Sequence, residues 1–249
     1  MVTTKSVMLF IKMTDCDTSA TLALCVLYIL IFIYVVQKSE FMAPRDTIPM
    51  RSKTDGLQYH VNVKLSNSTT AVEILADINQ RLLKLAKHIK VKYSIGGGDP
   101  RNLSNYAVQC PEKVIQARNF LRRYNPDAIY ENSPLNSEGD SSYTINKGQV
   151  LAFCLRPKDN PNSFHDANLL MFVALHEAAH IAAHVYQHET PFWKTFKFLL
   201  EEGEESGVIK NTDFRKKPAV YCGVPVKYNP YYDAKLDTIC TEEIIKEAV

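Results

Sequence analysis

The stretch DANLLMFVALHEAAHIAAHVYQHETPFW, residues 166–193, contains the strongest structural signal in the chain. Asp166 can cap a helix, and apolar residues then continue on nearly every side of that helix to about Tyr186. A helix that is apolar all round is a buried one. Thr190 and Pro191 supply a cap and a first-turn proline for another helix. The stretch therefore predicts a buried central helix with a second helix close behind it.

The central helix contains His176-Glu177-Ala178-Ala179-His180, which is an H-E-x-x-H motif. Positions i and i+4 share one helix face, so two imidazoles there can bind the same zinc ion. Glu177 is expected beside the metal as a general base and not as a ligand. The alternative is a helix with solvated histidines. It would leave His176 and Glu177 buried among apolar residues without partners, which is costly. We therefore predict His176 and His180 as zinc ligands and Glu177 as the catalytic residue.

A catalytic zinc ion usually has a third protein ligand. His188 is the preferred candidate, because the chain can fold back and present it if the helix ends near Tyr186. His184 lies about 12 Å from His176 along a continuous helix and can join only if the helix ends earlier. The remaining alternative is a glutamate of the following helix, namely Glu201, Glu202, Glu204 or Glu205.

The elements around the motif indicate a small α+β domain. Apolar residues spaced three and four apart predict a helix over 70–89, and residues 111–123 predict another. Residues 143–145 and 149–155 are β-prone and are joined by Asn146-Lys147-Gly148, which predicts a hairpin. The fold class is therefore α+β, a small zincin-like domain in which a β-sheet lies beside the H-E-x-x-H helix. We expect residues 149–155 to belong to its edge strand.

The N-terminal part of the chain predicts a membrane anchor. Residues 20–36 are apolar and uncharged, close to the lower limit for a spanning helix. A buried core helix and a cleaved signal peptide are the alternatives, but no small-residue cleavage site follows. The predicted organisation is an N-terminal tail at 1–19, the transmembrane helix, a linker at 37–58 and a zinc metallopeptidase-like domain at 59–249.

Charge and cysteine content suggest where this domain faces. Four basic residues follow the apolar segment and two precede it, which favours the cytosolic side, or the virion interior for a viral protein. The six cysteines are widely spaced and form no C-x-x-C pair, so we expect reduced thiols. The net charge of +2 is too small to indicate a nucleic-acid-binding surface, so nucleic acid is not an expected partner. The basic residues are Lys5, Lys12, Lys38, Arg45, Arg51 and Lys53.

The motif and the residues after it resemble a known group of enzymes. His176-Glu177-x-x-His180, followed by His188, Phe192 and Trp193, is similar to the WLM and SprT-like zinc metallopeptidases. In those families a third histidine in an H-x-x-x-F-W segment follows the helix, which implies that His188 is the third zinc ligand. The families often act on DNA-bound proteins, but this chain has no evident DNA-binding module, so that role is not carried over.

A fuller pattern resembles WLM-like proteins of large DNA viruses. It includes residues 132–134, 142–144 and 221–223. The resulting prediction is a single-pass membrane protein, anchored through residues 20–36, that hydrolyses peptide bonds in protein or peptide substrates with Zn2+ as its cofactor. Two alternatives are a membrane-anchored structural or interaction protein with an inactive zincin fold, and a zinc hydrolase of a non-peptide substrate.

Overall fold

The computed structural model separates the chain into two compact units, Met1–Ala43 and Pro44–Val249. The first contains helix α1, Thr18–Met42. The second contains the sheet, the remaining helices and the H-E-x-x-H motif. The structure describes residues 18–42, 44, 46–95, 110–135, 141–183, 185 and 187–237.

Helix α1 corrects the prediction of a membrane anchor. Within the described residues, no helix combines the length and the apolar character that a membrane crossing requires. This finding contradicts the predicted transmembrane helix at 20–36, the single-pass localisation and the topology inferred from them.

In the described part of the second unit, five strands form one mixed sheet with the order β1-β2-β3-β5-β4. β1 pairs antiparallel with β2, β2 and β5 each pair parallel with β3, and β4 pairs antiparallel with β5. Strand β1 falls in the range predicted as a linker. The strands are β1 Thr47–Arg51, β2 Gln58–Asn62, β3 Ile129–Asn132, β4 Tyr143–Ile145 and β5 Val150–Cys154.

The predicted hairpin is confirmed, but its first strand, β4, lies at the edge of the sheet in place of β5. Thr144 is opposite Leu151 in the antiparallel pair, and Asn146 and Lys147 form the turn with positive φ. β5 is buried along its whole length between β3 and β4, so the prediction that residues 149–155 form the edge strand is wrong. The more exposed and shorter strand β4 is the outer one. It, and not β5, borders the candidate site.

Four helices in the described ranges of the second unit supply most of the apolar core. The apolar positions that predicted the first of them are all buried, from Val72 to Ile89. Helix α4 carries the motif and is buried on most sides, as its composition predicted. Asp166 caps it by accepting hydrogen bonds from the backbone N–H groups of Asn168 and Leu169. The helices are α2 Ser68–Lys92, α3 Pro111–Arg123, α4 Ala167–Ala182 and α5 Thr190–Glu205.

Helix α4 ends at Ala182, four residues before the predicted end near Tyr186. Three side chains bind the carbonyl groups at this end. Lys147 Nζ donates to Ala183 O at 2.6 Å, Asn119 Nδ2 to Ala182 O at 3.0 Å and Arg123 Nη1 to Ile181 O at 3.0 Å. Because the last carbonyls of a helix lack partners within it, these donors stabilise an early end.

A second, two-stranded sheet follows helix α5. It consists of β6, Ala219–Tyr221, and β7, Val224–Val226. A disulfide joins Cys222 in its turn to Cys154 at the end of β5, with their Cα atoms 6.2 Å apart. Cys110 is disulfide-bonded as well. The expectation of reduced thiols is therefore wrong at these positions, because the fold brings together cysteines that are 68 residues apart in sequence.

Candidate metal centre

Three histidine side chains converge at the end of helix α4. His176 and His180 come from successive turns of the helix, and His188 comes from the segment that follows it. The Nε2 atom of His188 lies 3.0 Å from Nε2 of His176 and 3.2 Å from Nε2 of His180. One ring nitrogen from each histidine thus lies within 4.8 Å of the other two.

The spacing of these nitrogens fits a single zinc ion. Two ligands at about 2.0–2.1 Å from a tetrahedral ion are about 3.3 Å apart. This is close to the 3.0 and 3.2 Å that separate Nε2 of His188 from those of His176 and His180. The donors are all imidazoles, which suit zinc among other transition metals, and three protein ligands leave one position open. His176, His180 and His188 are therefore the residues that would hold the ion.

The protonation of the three imidazoles agrees with metal binding. Burial, together with the neighbouring His180 and His188, lowers the pKa of His176 to about 3. Burial, with His188 and Lys147 nearby, lowers the pKa of His180 to about 4. Burial also lowers the pKa of His188. All three rings are thus neutral near pH 7, which is the state that binds a metal.

Phe192 and Trp193 at the start of helix α5 hold His188 in position. The ring of Phe192 packs against all three imidazoles, with centroid distances of 4.9 Å to His176, 4.3 Å to His180 and 4.7 Å to His188. Trp193 donates a hydrogen bond from Nε1 to the carbonyl oxygen of His188 at 2.9 Å. The early end of α4 and the Phe-Trp pair together explain how a residue outside the helix reaches the cluster.

Glu177 lies next to the first histidine and is 4 % exposed. It lines both of the cavities that reach the histidine cluster, and it is not a member of that cluster. A buried carboxylate facing a cavity is placed to exchange a proton with a molecule bound there. The structure thus brings Glu177 beside the three histidines, as the motif predicts.

The alternative third ligands do not join this cluster in the described residues. Glu202 accepts hydrogen bonds from Lys92 and Tyr93 and contacts His88, and Glu205 pairs with Lys92. Glu204 accepts from the backbone of Asn211 at 2.6 Å, and Glu201 lies 3.8 Å from Lys113. His184 lies outside the described residues.

A tyrosine on strand β6 completes the wall of the site. Tyr221 is 3 % exposed and lines the same cavity as His176 and Glu177. Its hydroxyl lies 2.5 Å from Oγ of Ser142, and that Oγ accepts a hydrogen bond from the backbone N–H of Cys154. Burial raises the pKa of Tyr221, and the nearby Glu177 adds to the rise. If the Ser142 hydroxyl donates to Tyr221, the tyrosine keeps its own proton for a ligand in the cavity.

Tyr221, Tyr231 and Tyr232 all lie downstream of the motif, and the sequence does not show which of them could donate at the site; nothing in it assigns a role to Ser142. The distance in sequence between these residues and the motif does not predict that they meet, because their contact depends on how the hairpin packs beside helix α4. The cysteine next to Tyr221 is the one local hint. Cys222 and Cys154 could have been paired to predict that this segment lies beside β5.

Two cavities meet at the cluster, and they differ in character. One of about 390 Å3 has Phe172, Val173 and Phe196 in its walls. The other, of about 310 Å3, is bordered by β4 and the turn after it, including Thr144 and Lys147. The residues common to both are Ser142, His176, Glu177 and His188. The shared wall therefore contains Glu177 and two of the three predicted zinc ligands, whereas His180 lines only the second cavity.

These features define an α+β protein with three converging histidines on and after an H-E-x-x-H helix. The chain is 31% identical over 163 residues to "Uncharacterized protein R325" of Acanthamoeba polyphaga mimivirus, a match that covers 65% of this chain and 74% of that protein. The chain therefore belongs to the same family as the mimivirus protein.

A second viral relative matches a shorter region. "Uncharacterized protein 136R" of Invertebrate iridescent virus 6 is 37% identical over 87 residues, which is 34% of this chain and 47% of that protein. The chain thus covers about half the length of this second relative. No protein-family model and no solved structure matches the chain.

Proposed function

We propose that the protein is a zinc-dependent metallopeptidase similar to the WLM and SprT-like enzymes. The observation that carries the proposal is the convergence of Nε2 atoms from His176, His180 and His188, at 3.0 and 3.2 Å along the two closest pairs, beside the carboxylate of Glu177. A cluster built only for packing would not need three neutral imidazoles that point their nitrogens at one another in a cleft.

The residues of the chain then have distinct tasks. When bound, zinc would supply a Lewis acid that polarises the scissile carbonyl and makes water a good nucleophile near pH 7. Glu177 takes a proton from the attacking water and passes it to the leaving amine. The Tyr221 hydroxyl donates a hydrogen bond to the oxygen on which negative charge develops. His176, His180 and His188 hold the cofactor and take no proton.

A peptide is the substrate class that the cleft favours. β4 is one of the two outer strands of the described sheet and borders the cleft opposite helix α4. An extended peptide can add to an outer strand through main-chain hydrogen bonds, whatever its side chains are. This mode would lay the peptide backbone across the residues shared by the two cavities.

The proposal is tested by measuring metal content and proteolysis in one preparation. Elemental analysis of the purified full chain should give about one zinc per chain, since three histidines and one open position form a single site. His176→Ala and His180→Ala should lose the metal. The zinc-loaded protein should cleave casein, and a chelator should stop cleavage until zinc is restored. A well-folded chain without zinc, or a zinc-loaded chain without activity on proteins, would contradict the proposal.

A further inference from the structure

The larger of the two cavities beside the histidine cluster is apolar. Helix α4 contributes Phe172 and Val173 to it, and helix α5 contributes Phe196. These residues are 6, 8 and 1 % exposed. Ring contacts of 5.1 Å to Phe196 and 4.8 Å to Phe214 fix Phe172 at the base of the cavity. This side of the cavity is therefore formed by the core.

The β6–β7 hairpin closes the other side of this cavity. Tyr221 and Val224 are directly opposite each other in the hairpin, so their side chains share one face, and both line the cavity. Val220 is one position away on the same strand and does not line it. Val220 is 60 % exposed and lies outside the cavity lining, although its cross-strand partner Pro225 is part of that lining. The exposed Lys227 is the charged residue on this side of the cavity.

The position of the cavity indicates what fills it. The second cavity, of about 310 Å3, is here called the polar cavity because Thr144, Asn146 and Lys147 line it. The two cavities share His176, Glu177, His188 and Ser142, so a peptide bond held over these residues has one neighbouring side chain in each cavity. A volume of about 390 Å3 accommodates a large side chain, and the phenylalanines and valines around it favour an apolar one. The lining of this cavity therefore favours an apolar side chain of the substrate.

Strand β4 indicates which side of the scissile bond this is. Ser141, just before β4, lines only the apolar cavity, whereas Thr144 and Asn146 line only the polar one. β4 thus runs from the apolar cavity towards the polar cavity. A peptide paired antiparallel to it, the commoner arrangement, runs the opposite way. Its C-terminal side then lies at the apolar cavity.

We propose that the enzyme selects peptides with a large apolar side chain, such as leucine or phenylalanine, directly after the scissile bond. This inference rests on the proposed peptidase function and adds the substrate preference of the same site. One methylene in an apolar pocket changes kcat/KM by about 10-fold or more, so a leucine peptide, with three more carbons, should exceed the matched alanine peptide by at least roughly 100-fold. Mass spectrometry of casein products should find large apolar residues at the new N-termini.

A substitution in the hairpin tests the cavity directly. Val224→Trp adds an indole at a position that is 46 % exposed, so the core is not overpacked. It should fill the cavity and reduce the leucine preference from roughly 100-fold to below about 5-fold. Val220→Trp is the matched control, since Val220 is on the same hairpin, is 60 % exposed and does not line the cavity. It should keep the wild-type preference.

A binding measurement separates this inference from the question of catalysis. Trp193 is the one tryptophan of the chain, and it lines the cavity. Its fluorescence therefore reports occupancy in zinc-loaded Glu177→Gln protein, titrated with tryptophan-free peptides that contain leucine or alanine at the variable position. We expect the leucine peptide to bind more tightly than the alanine peptide. Val224→Trp in the Glu177→Gln background should remove this difference in affinity. Because Val224→Trp adds a second indole, the affinities of that variant are measured by competition.

The possible results have different consequences. Tighter binding of the leucine peptide without cleavage by the wild type would support the cavity assignment and refute the peptidase function. Cleavage without a leucine preference would leave the peptidase function standing and refute the cavity assignment. Apolar residues enriched before the cleaved bond, or a preference unaffected by Val224→Trp, would also refute the assignment. Neither binding preference nor cleavage would refute both.

Discussion

At the scale of single residues, Tyr221 and Glu177 face the same cavity from two different elements. Glu177 comes from the buried helix α4, and Tyr221 comes from a hairpin more than forty positions later in the sequence. The raised pKa of Tyr221 keeps its hydroxyl protonated across the range in which a peptidase works. The pair therefore has a proton acceptor and a hydrogen-bond donor on opposite walls of one cleft.

Tyr221→Phe tests the role of the hydroxyl. The ring should still pack against His165, whose centroid lies 5.0 Å away, so the fold and the zinc content should not change. Loss of one donor to a developing oxyanion costs about 10²–10³ in kcat, and we expect a fall of that size with little change in KM. Steady-state kinetics and metal analysis on one peptide check this. An unchanged kcat would show that Tyr221 only packs.

The third ligand is tested by three variants measured together. His188→Ala removes a ligand and should lower zinc affinity most. Trp193→Phe removes the hydrogen bond to the His188 carbonyl and keeps an aromatic ring at this position. It should lower zinc affinity by about 10-fold, in the lower range for a supporting contact. His184→Ala is the control and should bind zinc like the wild type. Competition with a chromophoric chelator measures all three, and a stronger effect at His184 than at His188 would contradict the assignment.

At the scale of elements, the site depends on where α4 stops. Sequence located the helix, its Asp166 cap and the helix after it, because apolar periodicity and capping chemistry are local signals. It placed the end of α4 four residues too late, because the donors that end it come from α3 and from the hairpin turn. Lys147, Asn119 and Arg123 are distant in sequence, and no local pattern reveals that they meet these carbonyls.

Contacts between residues distant in sequence also explain why the edge strand and the state of the cysteines were predicted wrongly. Residues 149–155 predict a strand correctly, but which strand lies at the edge depends on the parallel pairing of β3 with β5. The Cys154–Cys222 disulfide likewise depends on tertiary contact. The H-E-x-x-H motif could be predicted because both of its histidines lie on one helix, and His188 was assigned through the following Phe-Trp pair.

The disulfide holds the hairpin that carries Tyr221, so removing it should affect stability and activity together. The cysteines are 68 residues apart, and a loop of that length corresponds to about 4 kcal/mol in the chain-entropy model. Cys154→Ser with Cys222→Ser should therefore lower Tm and kcat but keep the zinc, whose ligands lie elsewhere.

Cys25→Ser is the control for this disulfide variant, since Cys25 is free and exposed in the described residues. Calorimetry, metal analysis and peptide kinetics on the two proteins make the comparison. A double variant that matches the control in both Tm and kcat would mean that the disulfide has no part in positioning Tyr221.

At the scale of the whole molecule, the metal-free protein should lose stability as the pH falls. His176 and His180 have pKa values of about 3 and about 4 in the folded state, against about 6.5 when unfolded. Between about pH 6.5 and 4 the unfolded chain therefore binds protons that the folded chain does not bind at these positions. The free energy of unfolding then decreases as the pH is lowered.

Urea denaturation of metal-free protein between pH 7 and pH 4.5 measures this dependence. His176→Leu removes one of the depressed histidines and should flatten the curve relative to the wild type. Equal slopes for the two proteins would show that His176 is not neutralised by burial. Zinc added at pH 7 should raise the denaturation midpoint of the wild type and leave that of the variant nearly unchanged, because binding stabilises only a folded site.

The most direct test of the central claim compares zinc-loaded wild type with zinc-loaded Glu177→Gln on one quenched fluorescent peptide. Glutamine has nearly the same shape as glutamate but cannot accept the proton, so both proteins should contain about one zinc and unfold at the same temperature. We predict that kcat falls by at least about 10²-fold in the variant. Equal hydrolysis by the two zinc-loaded proteins, or none by either, would contradict the assignment of this protein as a zinc peptidase.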